Sequence, residues 1–188
     1  MKLIKRLFPL FIFCILLLSC KSSEDHKRDV GFCSTFYAEL DSTGAVVNGF
    51  WDQLVRGAET AQQSPGYKLE QPYIDSLNFS YQKATDALNR AIIRLNTMEE
   101  ADPELDMKNK TLDYLKSTKA VQDAAIPDVI TALANGLDKL TGAQRESFMK
   151  FKAYGEKMEK ASAEMNKLGN DFMLKHGISD AELDRKTR

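Results

Sequence analysis

The 188-residue chain has few of the side chains that enzymes recruit for chemistry, with 2 histidines, 3 cysteines and 1 tryptophan. His26 and His176 stand far apart, so no local pair is present for a metal or for proton transfer. The Glu-x-x-His pattern of di-metal helical bundles is absent, as is any paired-cysteine zinc motif. A Ser-His-Asp or Cys-His set would have to recruit His176, and no neighbouring residue in sequence marks a nucleophile. No enzymatic activity, no cofactor and no metal centre are therefore expected. Basic residues are not in excess, since 26 Lys+Arg face 27 Asp+Glu for a formal net charge of −1. Nucleic-acid binding, which needs clustered Lys and Arg, is set aside. Alternating runs rich in β-branched residues are missing after the first twenty positions, which excludes a sheet.

Only one long hydrophobic run exists, Leu7 to Leu18, and at roughly a dozen residues it is short of the ~20 that a spanning helix needs. Lys2, Lys5 and Arg6 precede it and Ser19 follows, the order of a secretory leader. Leu17-Leu18-Ser19-Cys20 resembles a lipobox, the site where a bacterial signal peptide is cut and the new terminal cysteine is lipidated, for example with palmitate. The expected division is a signal peptide over 1–19, a lipid on Cys20 and a flexible tether over 20–29. A helical domain over 30–178 and a frayed tail over 179–188 follow. Loss of Lys2, Lys5 and Arg6 with the leader moves the formal charge from −1 to −4. Cys14 leaves as well, so Cys33 is the single free thiol and no internal disulfide can form. Its place on a helical seam reads as a small apolar core residue. The absence of aspartate after Cys20 resembles an outer-membrane sorting signal. Lys21 followed by Glu24 and Asp25 resembles a surface-export signal, with a periplasm-facing position as the alternative.

Downstream, apolar residues recur at three-four spacing. Cys33, Tyr37, Leu40, Gly44, Val47, Trp51, Leu54, Ala58 and Ala61 share one helical face, widened by Phe36, Val46, Phe50 and Val55. Gly44, Gly49 and Gly57 cost helix propensity, so they mark close helix contacts or a break near Gly44. Pro72 suits the first turn of a second helix running Ile74 to Met98. Asp102-Pro103-Glu104 reads as the start of a third helix, with Asp102 and the acidic pair Glu99-Glu100 as capping groups. Pro127 predicts a kink or a break within that helix. Thr141 to Gln144 has the form of a capping box ahead of a fourth helix. Lys175 and His176 suit its last turn, where a cationic imidazole favours the carboxyl-end dipole, and Gly177 suits its stop. The pattern predicts an all-α fold, an elongated up-down-up-down four-helix bundle.

With these helices placed, the chain resembles a family of small, helical bacterial surface lipoproteins. The resemblance is carried by the lipobox, the aromatic-rich helix from Phe36-Tyr37 to Trp51, Tyr114-Leu115, and the last helix ending at Asn170 to Ile178. It implies a surface location and a helical fold, and no catalytic residues. The resulting expectation is a lipid-anchored, non-enzymatic envelope protein held to the membrane through Cys20, whose bundle binds a protein or glycan partner. The alternative is a carrier or sensor holding a small apolar ligand between the helices. Tyr37, Trp51, Phe151 and Tyr154 are the candidate aromatics for either role, with core packing as their plainer use.

Overall fold

The computed structural model describes residues 23–63 and 68–184, apart from the side chains at positions 148, 151, 152, 155, 156, 159 and 184. Leu17, Leu18, Ser19 and Cys20 lie outside this set. Four long helices account for most of it: α1 (Ser23–Gln62), α2 (Gln71–Thr97), α3 (Met107–Asn135) and α4 (Gly142–His176). A 3-10 turn at Leu137–Lys139 joins α3 to α4, and a short helix, α5 (Asp180–Asp184), ends the described chain. The fold is all-α, with no strand among the described residues.

The three-four spacing becomes burial. In α2, Ile74, Leu77, Ala84, Leu88, Ala91 and Leu95 are all buried on one stripe. They meet Phe36, Phe50 and Leu54 of α1 and Ile126, Val129 and Leu133 of α3 in one continuous core. Each large aliphatic side chain buried there contributes on the order of 1.5–3 kcal/mol relative to exposure. Cys33 sits in this core with no solvent exposure, and burial pushes its thiol pKa up to about 11. Val46 and Val55 depart from the expected stripe: at 38% and 42% exposure they flank the buried face rather than widen it.

The helix boundaries follow local chemistry. Pro72 lies in the first turn of α2. The capping box of α4 is formed in both directions between Thr141 and Gln144. Gly177 stops α4 in the left-handed region at φ 65°, with Ile178 N–H donating to the Met173 carbonyl at 2.9 Å, and Ile178 packs back into the core.

Four boundary expectations are corrected. The segment expected as a tether up to residue 29 is helical from Ser23 onward, so 23–29 form the first two turns of α1. Glu24 and Asp25 favour the amino end of the helix dipole, and Asp29 at the second turn is fully buried. Of the tail expected to fray over 179–188, residues 180–184 form α5, held by Ser179 against Glu182 and by His26 Nε2 against Glu182 Oε1 at 3.0 Å, and 185–188 lie outside the described residues. Hydrogen bonds from His26 and from the amide and hydroxyl of Ser179 lower the Glu182 carboxyl pKa to about 2.

The third helix begins at Met107, because Asp102 caps a turn instead, accepting from the amides of Glu104 at 3.0 Å and Leu105 at 3.3 Å. Glu100 takes over at the helix entrance, accepting from Lys108 N–H at 2.8 Å, and the Lys108 ammonium closes the end of α2 on the Met98 carbonyl at 2.6 Å. Finally, of the kink or break expected at Pro127, α3 shows no break. The hydrogen bond that proline forfeits belongs to the Asp123 carbonyl, and Asp123, Ala124, Pro127 and Asp128 all lie on an exposed stretch that water can serve. Likewise α1 runs unbroken through Gly44.

Sequential helices pack extensively, α1 on α2, α2 on α3 and α3 on α4, whereas α1 and α4 touch sparingly. This sparse seam contains the two features with functional content.

Candidate functional site

At one end of the α1–α4 seam lies a buried ionic cluster. His176, in the last turn of α4, has its Nδ1 2.8 Å from Asp29 Oδ2 on α1 and its Nε2 2.8 Å from Asp102 Oδ2 in the α2–α3 loop. All three side chains are at least nine-tenths buried. The geometry is that of an imidazole ring held between two carboxyl groups, one at each ring nitrogen. Phe172, one turn earlier, stacks on the ring with centroids 4.1 Å apart and planes 12° from parallel.

Cations flank both acids, with Arg28 Nη2 3.4 Å from Asp29 and Lys175 Nζ 2.7 Å from both Asp102 and Glu104. Burial alone would raise the Asp102 carboxyl. Hydrogen bonds from Lys175, His176 and the amides of Leu105 and Glu104 outweigh it and hold the group well below the usual carboxylate range. His176 thus does more than meet the helix dipole. It joins three elements that are remote in sequence. Both ring nitrogens face carboxylates, so neither addresses a nucleophilic hydroxyl, and the relay geometry of hydrolases is not formed.

Beyond this cluster the seam closes, opens and closes again. Phe32 of α1 meets Phe172 at 5.4 Å between centroids, and the Tyr37 ring lies directly over Gly169, where an added Cβ would stand 2.1 Å from the Tyr37 hydroxyl and the ring would have to shift. Further along, Trp51 and Tyr154 meet with centroids 6.1 Å apart. Between these contacts lies a partly open cleft of about 610 Å³. Its buried floor includes Val47, Leu88, Leu115 and Thr118, and Leu40, Met158 and Met165 lie alongside. Gly44 opens onto it, with nothing within 4 Å of where a Cβ would stand. Tyr114, Met158 and Met165 also line a second groove, on the outer face of α3 and α4.

The four candidate aromatics are not gathered into one site. Tyr37 marks one closed end of the cleft, Trp51 and Tyr154 mark the other, and the Phe151 side chain lies outside the described residues. Tyr154 is buried with its hydroxyl in no well-formed hydrogen bond; burial raises its pKa, partly opposed by the neighbouring Thr118 hydroxyl. The Asp29–His176–Asp102 cluster was invisible to local pattern reading, because its partners are 147 and 74 positions apart. The one available signal was an aspartate four residues ahead of Cys33, on the apolar seam of α1, a place where an acid needs a partner.

Among the described residues no group of His, Cys, Asp and Glu is arranged to hold a metal, and no helix is long and apolar enough to cross a membrane. Comparison with known proteins adds no relative: no family model, no curated protein and no solved structure matches the chain.

Proposed function

We propose that the chain is a lipid-anchored, non-enzymatic protein of the bacterial outer membrane, displayed at the cell surface and related to small helical surface lipoproteins. Its domain is an elongated up-down-up-down bundle that binds a protein or glycan partner. The observation that carries this reading is the order of basic residues, apolar run, Ser19 and Cys20 directly ahead of a helical domain. The described part of α1 begins at Ser23, three positions after Cys20 in sequence, which supports a bundle standing close to the lipid. The bundle arrangement is supported by its ends: Leu69 N–H, before α2, donates to Leu133 near the end of α3 at 3.1 Å, while α1, the α2–α3 loop and α4 meet at His176.

Replacing Cys20 with alanine tests the anchor. Labelled palmitate should no longer enter the protein, which should leave the membrane fraction with its helical content intact. Undiminished membrane attachment and labelling in Cys20→Ala would contradict the reading. Protease shaving of intact cells tests the surface position, and full protection would place the domain on the periplasmic face.

A second reading, a carrier or sensor of a small apolar ligand, is favoured by the cleft between α1 and α4. Its volume falls within the range of small-molecule sites, which bury apolar ligands against a few fixed polar groups.

A further inference from the structure

We propose that the α1–α4 cleft is a binding site for a short, uncharged amphiphile, a molecule with an apolar chain and a hydroxyl or amide end; this rests on the carrier reading. Three observations define the occupant. The first is length. The seam is shut by Tyr37 on Gly169 at one end and by Trp51 against Tyr154 at the other. Along α1 those two closures are about 21 Å apart, at about 1.5 Å per helical residue. A partner helix, about 10 Å across, would have to continue past both ends, and a small molecule would not.

The second is space. Gly44 faces the opening with no atom within 4 Å of its absent Cβ. Ala45 and Ala163, both exposed, and Ser162 opposite continue the small lining. Small residues elsewhere on this seam bring the helices together, as Gly169 does with Tyr37, whereas here they leave a gap.

The third is charge. Among the described residues that line the cleft, Asp41 is the one ionised side chain, and no lysine or arginine accompanies it. A carboxylate or phosphate placed there would meet no counter-charge among the described lining residues and would be repelled by Asp41. What the lining does offer is a buried apolar floor of Val47, Leu88 and Leu115 and an exposed polar rim of Asn48, Ser162 and Asn166. The Thr118 hydroxyl, already donating to the Tyr114 carbonyl at 2.8 Å, keeps acceptor capacity toward the cleft. This lining suits an apolar body with a neutral polar end. Met158 and Met165, unbranched and polarisable, adapt the wall to chain shape.

Trp51 is the only tryptophan and sits at the closed end, so its fluorescence reports occupancy. The full chain in phosphatidylcholine vesicles is titrated with bromo-undecanol and with bromo-undecanoate at matched free concentrations, with bromine as the quencher. The alcohol should quench Trp51 saturably and raise the unfolding temperature, and the carboxylate should bind at least about tenfold more weakly. Gly44→Phe should abolish quenching and Gly44→Ala should retain it. Ser162→Phe, at an exposed rim position, makes the same test from α4 should Gly44→Phe not fold.

Absence of quenching and of any stabilisation by either probe overturns both the carrier reading and the site. Equal binding of the two probes overturns the ligand class and leaves the carrier reading standing. Undiminished quenching in folded Gly44→Phe or Ser162→Phe overturns the site.

Discussion

The two halves of the α1–α4 seam solve the same packing problem in opposite ways. Near His176 the helices meet through a buried imidazole, two carboxylates, a stacked phenylalanine and a glycine pressed by Tyr37. Around Gly44, with residues equally small, they stand apart over about 610 Å³. Small side chains alone therefore do not decide how closely two helices approach. What decides is whether neighbouring groups gain from approach: at the His176 end each buried charge needs its partner across the seam, and at Gly44 nothing opposite demands contact. The cluster joins α1, the α2–α3 loop and α4 at one end, while the middle of the seam stands open.

The largest test of this contrast is removal of the cluster's imidazole. His176→Ala leaves Asp29 and Asp102 buried without the hydrogen-bonding ring between them and deletes the stack on Phe172. It should cost about 3–5 kcal/mol in urea unfolding, the range for stripping one member from a buried ionic group. A cost below about 1 kcal/mol would mean that the cluster does not hold the seam.

Acid should attack the same end next. The folded-state pKa of Asp102 lies below its ordinary value, so its contribution is present above the unfolded pKa of about 3.9 and is lost as pH falls through the folded value. Stability measured by urea unfolding should therefore decline progressively below about pH 4. Asp102→Asn should be less stable at neutral pH and should show a shallower acid dependence, since the titrating group is gone. An acid slope unchanged in Asp102→Asn would assign the dependence to other carboxylates.

The helices were largely readable in sequence and the cluster was not, for physical reasons visible at particular residues. Three-four spacing marks a buried stripe because the helix repeat dictates it, so Ile74 to Leu95 were legible, as were Thr141-Gln144 and Gly177, whose capping chemistry is local. Lys21 to Asp29 is as polar as any linker, and composition cannot register that Asp29 is sequestered by a histidine 147 positions away. Pro127 signals a lost hydrogen bond, but not that the loss falls on an exposed stretch of α3 where it is tolerated. Gly44 and Gly169 look alike in sequence, and only their surroundings separate an opening from a contact.

That difference gives the smallest effect and the most direct test: the same substitution, glycine to alanine, at the two positions of one seam, read by thermal unfolding. At Gly169 the new methyl group meets the Tyr37 hydroxyl and ring, and the displacement should cost about 1–3 kcal/mol. At Gly44 it meets nothing, and removal of a helix-interior glycine should gain up to about 1 kcal/mol. Gly44→Ala should raise the unfolding temperature and Gly169→Ala should lower it. A similar loss at both positions would show that α4 packs against α1 throughout, and would contradict an open cleft.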